Sequence, residues 1–398
     1  MESLFSSFNT IIEQTDTKFI RYIYSDINWN NRLIAITGAR GCGKTTLLLQ
    51  HIKKAYSNRI NEVLYVSLDN IWFTTHNLVQ LADEFNRNGG KILFLDEVHK
   101  YPSWSIEIKN IYDSYPNLKI VFTGSSLLEI YKSEADLSRR AITYHLFGLS
   151  FREFIELEYG IKLKTYSLDD IISNHINIAS EINKEIKPIP AFKEYLKYGY
   201  LPFFKEDKNT YLQRLLNTLN TILEVDLPSS QKIDFYSIHK IKKLFYIMSS
   251  LVPFTPNITQ LSKEIDVTRI SLLNYLTYLE KAQAILMLNK DALGMKYLAK
   301  PEKIYLANTN YAFALAGDKT NIGSIRETFF YNQLMVRNDV LFSNKTDFLI
   351  NNKYSFEVGG KNKTNKQIQD IEDSFVVKDD IEIGYFNNIP LWLFGFLY

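Results

Sequence analysis

Eight residues constrain this chain more than any other stretch. Gly38-Ala39-Arg40-Gly41-Cys42-Gly43-Lys44-Thr45 fits the pattern G-x-x-x-x-G-K-[ST] at every fixed position. The apolar run 33–37 precedes it and an apolar helical pattern, 45–56, follows it. A strand that enters a glycine-rich turn and leaves it as a helix belongs to a small set of α/β folds.

The surrounding sequence agrees. Strand-like runs at 33–37, 63–67, 92–96 and 118–123 alternate with helical patterns at 45–56, 77–86 and 104–114. Such alternation implies crossover units and a parallel sheet covered on both faces. Glycines let the loop bend so that several backbone N–H groups face one concavity, and the helix N-terminus adds its positive end. That suits a polyphosphate. Lys44 is placed to neutralise β- and γ-phosphate oxygens, Thr45 to ligate Mg²⁺, and Thr46 to hold the α-phosphate. Residues 38–46 together form the expected nucleotide-binding set. Cys42 reads as a tolerated loop residue, with a redox role at the helix start as the alternative.

The run Ile92-Leu-Phe-Leu-Asp-Glu97 sets two carboxylates at the end of an apolar strand. Asp96 at that exposed end is expected to hold Mg²⁺ through water, and Glu97 to polarise an attacking water. The next strand ends Val121-Phe-Thr-Gly-Ser-Ser126. A polar group there can sense the γ-phosphate: Ser125 first, with Thr123 and Ser126 as further candidates and a helix N-cap the competing role for Ser126. His99 follows the carboxylates and reads as a supporting group rather than a base.

The phosphate loop, the Leu-Asp-Glu strand with Val98-His-Lys-Tyr-Pro-Ser-Trp104, and the Thr-Gly-Ser-Ser strand end resemble a prokaryotic AAA-type P-loop ATPase family. Its members carry a C-terminal domain of unknown function with a restriction-endonuclease-like fold. Leu149-Ser-Phe-Arg-Glu-Phe154, Tyr195-Leu-Lys-Tyr-Gly-Tyr-Leu-Pro202 and Phe356-Glu-Val-Gly-Gly-Lys361 extend the match over almost the whole chain. The resemblance implies an AAA/ASCE-type sheet, ATP and Mg²⁺ as cofactors, hydrolysis of the phosphoanhydride bond, and DNA or a protein as the partner acted on. It aligns Arg140 with an arginine finger acting in the same or a neighbouring subunit; action in a neighbouring subunit would make the protein a homo-oligomer. The family usually has Gly-Arg there; here Arg139 replaces the glycine.

Composition narrows the rest. With 46% hydrophobic and 14% aromatic residues the 398-residue chain can bury cores, which excludes a disordered or fibrous protein. Lys plus Arg is 46 and Asp plus Glu is 44, a net charge of +2, so bulk coating of nucleic acid is excluded while a local basic patch is not. A single cysteine forms neither an intramolecular disulfide nor a zinc site. No basic leader opens the chain, and no run reaches the roughly 18 apolar residues that span a bilayer. The expectation is a cytoplasmic protein without membrane attachment. The apolar stretch 389–398 reads as a buried terminal strand.

Four segments follow: an ATPase domain at 1–148, a helical lid or linker at 149–250, a winged-helix-like segment at 251–300 and a nuclease-like α+β domain at 301–398. In the third, apolar positions 258, 261 and 265 make one helical face. Thr268 caps a second helix with Ile270, Leu273, Leu276 and Leu279 inward, and 285–288 follows as a strand. Its outward set, Arg269, Ser271, Asn274, Tyr275 and Tyr278, holds one cation, which favours protein contact over DNA. In the fourth, strands are expected at 303–307, 347–350, 354–358, 382–386 and 391–397. A hairpin centred on Asn352 sets Asp347 opposite Glu357, and with Glu327 these could hold a divalent metal. This resembles the PD-(D/E)XK nuclease pattern but lacks its Glu-x-Lys lysine, since Gly359 stands there. Lys361 or Lys363 would have to reach back. A degenerate DNA-binding fold is favoured over an active nuclease.

Three functional classes remain: a hydrolysing ATPase, a nucleotide-gated binding switch with little turnover, and a small-molecule kinase.

Overall fold

The computed structural model describes residues 1–124, 137, 139–228, 233–290 and 300–398. They divide into two compact units, Met1–Phe147 and Gly148–Tyr398.

The first unit is a parallel sheet of β1 (Leu33–Gly38), β2 (Val63–Ser67), β3 (Ile92–Asp96), β4 (Lys119–Gly124) and β5 (Ile142–Leu146), in the order β2-β3-β4-β1-β5. Helices α1 (Glu2–Gln14), α2 (Lys44–Ala55), α3 (Leu78–Arg87) and α4 (Trp104–Ser114) accompany it. Side chains along β1 and β3 are buried without alternation. That is the pattern of strands covered on both faces, and the reason these runs were legible as a parallel sheet. β5 was not anticipated. Its residues Ile142 and Thr143 are exposed and it sits at the sheet edge, so it lacks the continuous apolar run of the central strands. Because every strand is parallel, all carboxyl ends lie on one edge. β4 lies between β1 and β3, so the loop after β1 and the acidic end of β3 flank the polar end of β4.

The second unit begins with helices α5 (Phe151–Tyr159), α6 (Leu168–Glu185), α7 (Pro188–Tyr198), α8 (Lys208–Thr221) and α9 (Phe235–Ser249). Ser150 caps α5 through a reciprocal bond set with Glu153 three residues on. Helices α10 (Ile258–Glu264) and α11 (Arg269–Lys281) follow, then β6 (Ile285–Leu288), which pairs antiparallel with β7 (Lys303–Leu306). Thr268 caps α11. The inward face of α11 differs from expectation. Leu272, Tyr275, Leu276 and Leu279 are buried, whereas Ile270 is 68% exposed. The helical stripe is rotated by one position, which removes Tyr275 from the outward set.

Helices α12 (Thr309–Ala316) and α13 (Ile322–Leu334) lead into a five-stranded sheet of β8 (Val340–Leu341), β9 (Phe348–Ile350), β10 (Tyr354–Gly359), β11 (Ser374–Lys378) and β12 (Asn388–Pro390). β8, β9 and β10 pair antiparallel, while β10, β11 and β12 pair parallel. Asn351 and Asn352 take positive φ values of 52° and 55° at the β9–β10 turn, the conformation that hairpin asparagines favour. The strand expected at 382–386 is instead a turn carrying an 87% exposed Phe386. The terminal stretch is also not a strand: Leu391–Phe396 winds as a 3₁₀ segment with every residue buried. Full burial erases the period that separates strand from helix in an apolar run.

Candidate functional site

The carboxyl edge of the first sheet gathers the phosphate loop and the acidic strand end. Gly43 holds φ 99°, a left-handed value that glycine adopts without strain, and so starts α2 directly behind the loop. Lys44 is 4% exposed, and its Nζ donates to the carbonyls of Gly38 and Ala39 at 3.0 and 2.9 Å. Thr45 Oγ1 donates to Asp96 Oδ2 at 2.6 Å, tying the first turn of α2 to the end of β3.

Asp96 is 2% exposed, so the strand end read as exposed is buried. Three hydroxyls from three elements hold its carboxylate. Thr45 of α2 and Tyr65 of β2 donate to Oδ2, the latter at 2.9 Å, and Thr123 of β4 donates to Oδ1. Thr123 Oγ1 in turn accepts from the Glu97 N–H at 3.2 Å. These donors are dipoles, not cations, so they satisfy the oxygens without cancelling the charge. A carboxylate held this way beside a threonine hydroxyl suits a hard divalent cation, which takes oxygen ligands. Burial and Asp96 push the Tyr65 hydroxyl far above its ordinary pKa, keeping it a donor.

Glu97 sits at φ 52°, a left-handed value uncommon for a side chain with a Cβ, at the turn where the chain leaves β3. His99, nearly enclosed, places Nε2 3.5 Å from Glu97 Oε2. The supporting role read for His99 thus has a partner. His145 of β5 bonds Thr37 through Nδ1 at 3.0 Å, and burial together with nearby Lys44 lowers its pKa to about 4.

The remaining expected residues fall elsewhere. Ser125 and Ser126 lie outside the described residues. Arg140 makes a two-bonded ion pair with Asp113 of its own chain, both contacts at 3.0 Å. Sequence reasoning missed Tyr65 as a functional group, although a tyrosine inside the run Val-Leu-Tyr-Val-Ser is a visible signal. It also missed the buried Arg21, for which no motif exists.

In the second unit β9 and β10 pair in the register the hairpin reading required, Phe356↔Phe348, but the ladder ends there and Asp347 lies outside β9. The expected metal triad does not assemble. Among the described residues no group of three or more His, Cys, Asp or Glu side chains could hold a metal ion. Lys303 Nζ lies 3.4 Å from both Glu327 and Asp347, and Tyr305 donates to Glu327 at 2.9 Å. Glu357 is paired separately, with Lys363 at 2.6 Å. Phe348 and Phe356 pack on Phe330 of α13, so alternation turns Glu357 to the other face of the sheet. Asp347 precedes β9 and escapes that alternation: its Oδ2 accepts from the Val358 N–H at 3.0 Å, and it shares Lys303 with Glu327 instead of facing Glu357. Gly359 explains how Lys363 arrives: a Cβ there would stand 2.7 Å from Lys363 Cβ and Cγ. The lysine stem occupies the space that a side chain at 359 would fill. Burial, with Asp347 adding to it, raises the Glu327 pKa.

Comparison with known proteins agrees with the first unit. Residues 30–155 match an AAA domain, and residues 189–321 match a domain of unknown function (DUF8612). Uncharacterized protein MJ1637 of Methanocaldococcus jannaschii is 28% identical over 300 residues, covering 72% of this chain and 62% of its own length. Uncharacterized protein MJ1544 of the same organism is 27% identical over 369 residues, 85% of this chain and 77% of its own. The chain therefore matches about six-tenths of the length of the first of these relatives. Among solved structures, the Walker-type ATPase PABY2304 of Pyrococcus abyssi aligns over 72% of this chain and 91% of its own, at 14% identity and a TM-score of 0.40. That likeness is too distant to bear on the chemistry. The first unit is an α/β fold built on a five-stranded parallel sheet, and the AAA-domain match begins within it. Among the described residues no helix is long and apolar enough to cross a membrane.

Proposed function

We propose that this protein binds ATP with Mg²⁺ at the carboxyl edge of the first sheet and hydrolyses it, using nucleotide state to drive a change in the second unit. The observation that carries the reading is the Thr45–Asp96 bond between the phosphate loop and a carboxylate whose described partners are hydroxyls. Thr45 and Asp96 would hold the cation, whose charge would offset that of the phosphates. Lys44 neutralises phosphate oxygens, Glu97 orients the attacking water, and residues 38–46 cradle the phosphates. Ser125 remains the proposed γ-phosphate sensor.

The test is phosphate release from ATP by wild type and Glu97→Gln, with ATP affinity measured separately. Loss of turnover with retained binding supports the roles given; equal turnover in both removes Glu97 from the chemistry. Repeating the assay with single- and double-stranded DNA asks whether the α10–α11 segment and the β6–β7 pair act as a winged-helix DNA sensor. Arg269, exposed at the start of α11, is the cation there.

A second reading is a nucleotide-gated switch with little turnover. The Arg140–Asp113 pair favours it, because an arginine held by its own chain has to leave that carboxylate to reach a neighbouring nucleotide. Slow hydrolysis that Arg140→Ala leaves unchanged would select the switch. An oligomer whose turnover collapses with Arg140→Ala would select the motor. In the second unit, the lysine-paired carboxylates support a degenerate nuclease-like domain that binds without cutting. Metal-dependent DNA cleavage lost in Glu357→Ala would overturn that.

A further inference from the structure

Arg21 stands in the segment before β1 and belongs to no motif, yet it is only 5% exposed. Its Nη1 donates to the carbonyl oxygen of Cys42 at 2.5 Å, and its Nη2 to the carbonyl oxygen of Phe147 at 2.9 Å. Cys42 lies within the phosphate loop, and Phe147 follows β5 directly. One planar fork therefore spans the loop and the strand end beside it, a geometry that guanidinium provides and an ammonium does not.

The consequence follows from peptide geometry. In a trans peptide the carbonyl and the next N–H point in opposite directions. Drawing the Cys42 carbonyl toward Arg21 turns the Gly43 N–H away from it. Gly43, at φ 99°, is the residue from which α2 starts, where backbone N–H groups stand unpaired at the positive end of the helix. Without a tether this peptide could rotate, because Gly43 on one side of it has no Cβ to restrain it. The Cys42 side chain, fully buried, restrains the other side but leaves the carbonyl's hydrogen bond to be supplied.

We propose that Arg21 is a positioning residue for the anion-binding loop. By holding the Cys42 carbonyl it sets the direction of the Gly43 N–H, and with it the affinity of the loop for the polyphosphate of a nucleoside di- or triphosphate. This rests on the nucleotide-binding reading above. The effect belongs to the phosphate chain, not to the base. It should therefore appear with inorganic tripolyphosphate as it does with ATP.

The experiment measures displacement of a fluorescent ADP from the full chain by ATP, ADP and inorganic tripolyphosphate. Wild type, Arg21→Lys and Arg21→Gln are compared, each with a melting curve. Arg21→Gln should lose about 10-fold in affinity for all three ligands, the scale of one charge-assisted hydrogen bond. Arg21→Lys, which can keep one carbonyl, should lose about 3-fold by the same arithmetic. In turnover the loss should appear in KM with kcat nearly unchanged, because loop amides hold substrate and transition state alike. Wild-type affinity for tripolyphosphate in folded Arg21→Gln overturns the proposal, whatever its melting temperature. So does a loss confined to ATP and ADP. If Arg21→Gln does not fold, Arg21→Lys decides: weaker binding supports the proposal, and wild-type affinity overturns it. A wild type that binds none of the three ligands defeats the nucleotide reading itself, before any variant is made.

Discussion

The two five-stranded sheets each have buried or half-buried carboxylates beside them, and the two sets are held in opposite ways. In the first unit Asp96 is held by the hydroxyls of Thr45, Tyr65 and Thr123. In the second, Glu327 and Asp347 share Lys303, and Glu357 pairs with Lys363. Hydroxyls orient a carboxylate and leave its charge for a cation to meet. An ammonium orients it and cancels the charge. A strand-end acid thus says little about function until its counter-charge is known. The same residue type is cradled by hydroxyls beside one sheet and drawn into internal ion pairs beside the other.

The comparison is broken most sharply at the first sheet. Lys44→Ala should reduce nucleotide affinity by about two orders of magnitude or more, and Glu97→Gln should reduce turnover about as much while binding survives. Isothermal titration and phosphate release read the two effects. Comparable nucleotide affinity in Lys44→Ala would mean that the loop is not the binding element.

A smaller effect is expected in the second sheet. Lys363→Met leaves Glu357, nearly enclosed, without its cation. Since Lys363 itself is partly solvated, the loss should be about 1–3 kcal/mol, short of the full cost of splitting a buried pair. Urea unfolding measures it. Wild-type stability in Lys363→Met would mean that the pair is incidental. The double variant Lys363→Met with Glu357→Gln should recover much of the loss, because no charge is left stranded.

Tyr65→Phe deletes one hydroxyl from the Asp96 cradle. It should weaken Mg²⁺-dependent nucleotide binding by about 10-fold, the lower end for a group that orients a metal ligand, and leave Mg²⁺-free binding unchanged. A magnesium titration at fixed fluorescent ADP separates the two. Equal losses with and without magnesium would show that Tyr65 supports the fold and not the cation.

The smallest effect expected is on pH. Burial, with Lys44 adding to it, lowers His145 to about 4, and burial, with Lys119 adding to it, lowers His51 to about 3. Both are neutral in the folded chain at pH 6, whereas unfolded histidines begin to protonate near pH 6.5. The unfolded state therefore binds more protons in this window, and stability falls as pH drops from about 6.5 toward 4. Glu327, whose pKa is raised, works the other way: its folded form takes up a proton before the unfolded chain does. Acid should loosen the first unit first, as hydrogen exchange at pH 5 against pH 7 would show. Earlier exchange in the second unit would reverse that order.

The phosphate loop, the first four strands and α2 to α4 were legible because each rests on local signals. These are a fixed motif, continuous apolar runs and clear turns. β5 was not legible, since an edge strand with exposed residues has no continuous run. The end of the second unit failed for the opposite reason: 391–396 is buried on every side and shows no period. On α11 the periodicity identified the helix but placed its face one position away, because Leu272 and Leu273 compete for the same apolar stripe.

The amino-acid order by itself determined the phosphate loop, the Asp96-Glu97 strand end and the β9–β10 register, all set by neighbours close in the chain. Tertiary structure alone decided which counter-charge each carboxylate meets. Tyr65 reaches Asp96 from the next strand, Lys303 reaches Asp347 from another sheet, and Lys363 crosses the space left open at Gly359. Such contacts depend on strand order and on which face of a sheet a side chain takes. Packing settles both only when the whole core is formed, and spacing along the chain does not encode them.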